Sequence, residues 1–383
     1  METSTKVKYR SAMRALSATC ATYVVASTIS IAPAWGQESG TSSVTLYGSI
    51  DQGIEFLNRQ QVGKTSTSGL RIGSGTATSY FGFRGVEDLG GGLSTIWNLE
   101  GGFSPNAGTS SQGGRLFGRQ SYVGLSGHFG RVTIGRQYTM RFFATQMVNP
   151  FGTGAQGLTT LDNGIANARA DNSISYRFNL GDLEGGVNWS FGRDAVNGNS
   201  APATNCPGNG GWSKECREWS GMLKYDRRSW GLATAYERQY GGTAATWGGL
   251  TNPNLTDSRI ILGGYVRISK AKVGVGWIRR DDQGIATPKS NLMWVTATVP
   301  ITPSVSFDSM LAQLRYDHSP NKATVVVLRG TYAFSKRTIV YITADHINNA
   351  GQLALAATTL MPVVTPSAGG AQLSVIAGVR HRF

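Results

Sequence analysis

Ala371-Gln372-Leu373-Ser374-Val375-Ile376-Ala377-Gly378-Val379-Arg380-His381-Arg382-Phe383 reads in twos. Leu373, Val375, Ala377, Val379, His381 and Phe383 share one face; Gln372, Ser374, Gly378, Arg380 and Arg382 share the other, with Ile376 the apolar exception. Period two with one greasy and one wet side is a β-strand. A strand ending flush on an aromatic residue is expected to be part of the architecture, and here it is expected to close a barrel. Val44–Phe56 has the same form. Val44, Leu46, Ile50, Ile54 and Phe56 oppose Thr45, Tyr47, Ser49, Asp51 and Glu55. In a soluble sandwich such a greasy face packs on a second sheet, whereas in an outer-membrane barrel it meets lipid.

The connections decide between them. Short turns at Glu87–Gly92, His128–Gly130 and Ser269–Ala271 alternate with long polar loops, including Tyr138–Ala168, which has almost no strand signature. Loops that long are uncommon in compact domains and are usually functional. About sixteen strands follow, with short turns at one end and long loops at the other, which predicts an all-β, up-and-down antiparallel transmembrane barrel. Trp189, Trp230, Trp277, Trp294 and Phe383 are expected in its aromatic girdles. The parity of Thr338–His346 assigns no clear faces.

Composition is consistent with this. Gly, at 51 of 383 residues, suits tight turns. Near-neutral mean hydropathy without an apolar run of about 18 residues excludes a helical membrane protein but not a barrel. The net charge of +14 is scattered singly along strands, with no basic block to bind nucleic acid. Residues 1–36 read as a signal peptide, followed by a barrel domain over 37–383. Lys6, Lys8, Arg10 and Arg14 precede an apolar stretch at Tyr23–Ile31, and Ala32, Ala34 and Gly36 offer a cleavage end. Cys20 lies in this leader. Cys206 and Cys216 flank a glycine-rich loop with no histidine nearby, so in an exported protein they are a disulfide candidate rather than a metal pair. His128, His318, His346 and His381 show no metal spacing, and neither a Gly-x-Ser-x-Gly elbow nor a phosphate loop occurs. No enzyme, metal or cofactor is expected.

Several segments resemble the general porins of β-proteobacteria: Ser43-Val44-Thr45-Leu46-Tyr47-Gly48-Ser49-Ile50-Asp51, Phe81-Gly82-Phe83-Arg84-Gly85-Val86-Glu87-Asp88-Leu89-Gly90, Ser121–Ser126, Ile134–Gln137, Arg169–Tyr176, Leu328–Arg337 and Gly378–Phe383. The resemblance covers essentially the whole chain after the leader. It implies a sixteen-stranded homotrimer in the Gram-negative outer membrane, among lipid and lipopolysaccharide, whose closing strand, ending at Phe383, is read by the barrel-assembly machinery. It also implies a third long loop folded into the lumen and a constriction lined by arginines that favours anions. The family's constriction arginines fall at the residue before Phe81, here Tyr80, and at Arg119 and Arg169. Parity turns Arg84 and Arg177 inward as well, but places Arg119 on the lipid side unless a bulge resets it or it stands above the greasy belt. Asp162, in the long loop, is read either as an acid facing the arginines across the pore or as an exposed loop aspartate. The function expected is passive diffusion of small hydrophilic solutes and inorganic anions. The rivals are a substrate-selective porin and a non-conducting adhesive barrel.

Overall fold

A computed structural model describes residues 42–162, 164–194, 206–208, 213–243 and 249–383. The predicted leader, residues 1–36, lies outside the described residues. Sixteen antiparallel strands form the wall. They are β1 (Ser43–Val62), β2 in two parts (β2a, Thr65–Gly73, and β2b, Ser79–Gly90), β3 (Leu93–Ser104), β4 (Gln120–Gly127), β5 (Gly130–Tyr138), β6 (Arg169–Leu180), β7 (Leu183–Ser190), β8 (Glu218–Asp226) and β9 (Trp230–Tyr240). The series continues with β10 (Thr256–Ile268), β11 (Ala271–Asp282), β12 (Lys289–Pro300), β13 (Val305–Tyr316), β14 (Lys322–Ala333), β15 (Thr338–Ala350) and β16 (Ala371–Arg382). Neighbours in sequence pair with one another, and β16 pairs back onto β1 from Ser49↔Arg382 to Leu57↔Ser374, so the barrel is closed. Closure satisfies every ladder hydrogen bond without leaving an edge in lipid.

β1 is shared between the two parts of β2. Its first half pairs with β2b, from Ser43↔Val86 to Ser49↔Tyr80, and its second half with β2a, from Gly53↔Gly73 to Val62↔Thr65. Residues 74–78 interrupt the strand between them. The sequence near Asn58–Gly69 reads as a polar loop, but it is largely strand, because the hairpin runs on as far as Val62 and Thr65. Its residues are polar on both faces, so no greasy side marks it.

The outward face is apolar and exposed, as in Leu46, Ile54, Leu232, Leu262, Val275, Val295 and Leu311. In β15, Tyr341, Thr343, Asp345 and Ile347 face inward and are buried, while Ile342 is exposed. Trp294 overturns the girdle expectation. It points inward, 2% exposed, and donates from Nε1 to the Val148 carbonyl at 3.0 Å. Cys206 and Cys216 are joined in a disulfide. At the short turn after β2b, Gly90, Gly91 and Gly92 have φ of 82°, 62° and 78°, a run that side chains would strain.

The seam is tight. Gly48 and Phe383 exchange two backbone hydrogen bonds of 3.1 Å, and a Cβ at Gly48 would lie 2.4 Å from Phe383 Cζ and 2.7 Å from the Tyr80 carbonyl. Gly48→Val should therefore destabilise the barrel by about 1–3 kcal/mol, the usual cost of overpacking. The check is a lowered midpoint of the folded-to-unfolded gel shift on heating.

Candidate pore constriction

β5 ends at Tyr138, just past a register shift between Gly135 and Gln137. The chain then leaves the wall for residues 139–168, which contain two short helices, α1 (Met140–Gln146) and α2 (Leu158–Leu161). Met140, Ala144, Met147, Val148, Phe151, Leu158, Leu161 and Ile165 are buried in one apolar cluster with Met222, Ile261, Ile278, Leu292, Trp294, Met310, Val325 and Ile347 of the wall. Polar ties accompany it. Met140 N donates to Ser220 Oγ (3.0 Å), Arg141 pairs with Glu237 (3.0 Å), and Lys272 Nζ donates to the Met147 carbonyl (2.7 Å).

At the root of this segment two arginines converge on one phenol. The Tyr138 ring stacks on Phe142, with centroids 3.7 Å apart. Its oxygen accepts from Arg119 Nη2 at 2.9 Å and from Arg169 Nη2 at 2.8 Å. Arg119 also donates from Nε to Glu100 (2.6 Å) and lies 4.6 Å from the centre of the Tyr80 ring; Glu100 accepts from the Tyr47 hydroxyl as well (2.8 Å). Arg119 therefore faces inward, against strict alternation. It precedes the first residue of β4, where its own N–H bonds the Glu100 carbonyl (3.0 Å) and the pleat has not yet begun. Arg169 sits opposite Tyr138 in the ladder and donates to the Ala166 carbonyl at 3.0 Å.

The other expected residues surround this core. Arg84 is exposed on the inner face, 5.2 Å from the centre of the Tyr47 ring. Arg177 lies 3.7 Å from the Phe143 centroid and is paired with Glu184, which Lys224 also reaches at 2.9 Å. Sequence reasoning missed three participants. Arg131 stands directly opposite Arg177 on β5 and was readable from the alternation of Arg131 and Thr133 with Val132 and Ile134. Glu100 offered the weaker signal of being the one charged residue of β3, and Tyr138 offered none. Arg84, Arg131 and Arg169 make no ion pair with a carboxylate among the described residues, so this stretch of wall carries uncompensated positive charge.

Asp162 fits neither of its expected descriptions. It is 9% exposed and held by Arg259 (3.2 and 3.4 Å), which also binds Asp257 (2.7 Å) beside Arg280. It ties the 139–168 segment to β10 and presents little free negative charge. Burial pushes its carboxyl up, and Arg259, Arg280 and Arg141 together more than reverse this, leaving it well below the usual carboxylate range.

A family model described as Gram-negative porin matches residues 14–352. The chain is a Gram-negative porin. Outer membrane porin protein 32 of Delftia acidovorans is 30% identical over 376 residues, which is 93% of this chain and 98% of that protein. Among solved structures, the anion-selective porin from Comamonas acidovorans superposes with a TM-score of 0.73 at 25% identity, covering 90% of this chain and all of that one. OmpT of Vibrio cholerae in its trimer form shares the fold, with a TM-score of 0.61 at 15% identity over 90% of this chain and 100% of that one. The porin is accordingly an outer-membrane barrel of a Gram-negative bacterium, a passive channel and not an enzyme.

A carboxyl whose folded pKa is depressed stabilises above its unfolded value, about 3.9 for Asp, and that contribution is lost only as pH falls through the folded value. Asp162→Asn should cost on the order of 1–3 kcal/mol. The gap from wild type should be constant from pH 8 down to about 4 and shrink at lower pH. Urea unfolding in detergent micelles across that range reads it out.

Proposed function

We propose that the porin is a diffusion channel for small hydrophilic solutes that prefers anions, narrowed by the 139–168 segment folded into its lumen. The observation that carries this is the pair of guanidiniums on one phenol oxygen, Arg119 and Arg169 on Tyr138, with Arg84 and Arg131 nearby and, among the described residues, no carboxylate paired with three of the four. Like charges roughly 5 Å apart repel by about 3 kcal/mol at an effective dielectric near 20. An anion in their field relieves that repulsion and replaces part of its lost hydration, whereas a cation adds to the repulsion. Tyr80 stands where the resembling family has a third arginine. Its ring face supports Arg119 instead of repelling it, which makes the field weaker but the geometry steadier. The exposed apolar residues of the outer wall suit lipid, and assembly into three copies, as in the trimer form of Vibrio cholerae OmpT, is part of the same reading.

The test is the zero-current potential across a planar bilayer under a KCl gradient. The sign set by chloride is expected. Arg169→Ala and Arg131→Ala should each lower the chloride-to-potassium permeability ratio about twofold to fivefold, the scale of a Coulomb contribution near 1 kcal/mol in wet surroundings. A potential of the potassium sign would overturn the anion preference, and a folded barrel without conductance would overturn the channel reading.

A further inference from the structure

Asp51, on β1, faces inward with no exposed surface, and among the described residues no cation lies within ion-pair distance of it. Four donors surround its carboxylate instead. Oδ1 accepts from Gly75 N (3.3 Å) and the Tyr341 hydroxyl; Oδ2 accepts from Ala77 N (2.9 Å) and the Thr76 hydroxyl. Arg380 reaches only Thr76 Oγ1, at 3.4 Å. Three of the four donors belong to residues 74–78, the stretch that interrupts β2.

That interruption is where two inward segments meet. The Gly75 carbonyl accepts from Ala155 N (2.9 Å), at the tip of the 139–168 segment. The tip comes this close because residue 154 is glycine, where a Cβ would lie 2.7 Å from the Thr76 carbonyl and 2.9 Å from that of Gly75. The Ala155 carbonyl in turn accepts from Thr359 N (2.8 Å), in the connection between β15 and β16, where Ala357 and Thr358 are fully buried. Beside this contact, Gly157 N donates to Asp345 (2.8 Å) and Gln156 Nε2 to Ser374 Oγ (2.7 Å).

We propose that Asp51 is a positioning residue of the pore: its carboxylate folds residues 74–78 into a shelf on which the tip of 139–168 and the Thr359 stretch are clasped together. This rests on the reading of 139–168 as the narrowing element. The chemistry explains why the residue is an aspartate. The two backbone donors, Gly75 N and Ala77 N, fall on different oxygens and cannot reverse, as hydroxyls can. An asparagine in either orientation sets its NH2 against one of them, so only a carboxylate satisfies both.

Single-channel recording of the purified full-length porin in planar bilayers, comparing wild type, Asp51→Asn and Arg169→Ala, tests it. Asp51→Asn should split the open level into several, with a mean conductance above wild type. In the Ala155→Cys background, adding Asp51→Asn should speed modification of the new thiol by a water-soluble maleimide about tenfold, the change expected when a buried hydrogen-bonded clasp opens more often. One sharp wild-type level with an unchanged thiol rate overturns the proposal, even if heat stability falls, because that is the mark of a merely structural aspartate. Should Asp51→Asn not assemble, Thr76→Val, which deletes one donor at nearly constant shape, is read by the same two measurements. Loss of selectivity in Arg169→Ala alongside silent Asp51 variants would sink this inference and leave the channel reading standing.

Discussion

Sixteen strands close a cylinder too wide for its own inward side chains to fill, and the rest of the molecule follows from that constraint. A water-filled bore would satisfy it alone, but this wall does not offer one all the way round. On β10 to β14 the inward residues include Ile261, Ile278, Leu292, Trp294, Met310, Leu314, Val325 and Val327, an apolar surface that water would leave unsatisfied. The 139–168 segment covers it with its own apolar side chains. On β2 to β6 the inward residues are instead Tyr80, Arg84, Tyr122, Arg131, Thr133 and Arg177, which belong in water. With the 139–168 segment folded inward as proposed, the barrel interior is divided between an apolar, packed side and a polar side that carries the basic cluster.

The division explains how far the sequence could be read. The outward face is apolar and exposed, so its alternation is clean in Val44–Phe56, Ile260–Ile268 and Leu373–Val379. The inward face has two environments. Where it meets the covering segment it turns apolar, and the strand loses its period: Thr324-Val325-Val326-Val327-Leu328 is greasy on both sides, as is the neighbourhood of Ile342. Ile376, the exception in the closing strand, is fully buried beside Gly53 of β1 and Gly75 of the stretch that interrupts β2. Trp294 was read as a girdle residue because no local signal separates an aromatic facing lipid from one facing a loop 146 positions away.

The candidate site was legible in its residue types and less so in its connections. Arg84, Arg169 and Arg177 follow from parity, but Arg119 defeats it, since alternation holds only once the ladder has begun. Tyr138, which joins Arg119 to Arg169, carries no mark in the sequence. It sits where the chain leaves the wall, and its role depends on Arg119, 19 positions away, and Arg169, 31 positions away. Asp162 was recognised as the acid of the long loop, yet its partner, Arg259, lies 97 positions away on a strand whose inward charges look like ordinary lumen residues.

These partners bear on what the charges can do. A buried ion pair gives weak net stability but is costly to break from one side, so it fixes geometry more than it adds strength. Asp162 with Arg259 and Arg141 with Glu237 both act on the covering segment in this way, fastening its two ends to β9 and β10. Their charges cancel locally, whereas Arg84 on β2, Arg131 on β5 and Arg169 on β6 have no carboxylate partner among the described residues. If the channel prefers anions as proposed, fastening and selectivity are separated in space. On the anion-preferring reading proposed above, Asp162 and Glu237 are engaged in holding the segment, and an anion passing Arg84, Arg131 and Arg169 meets an excess of one sign rather than a balanced transverse field.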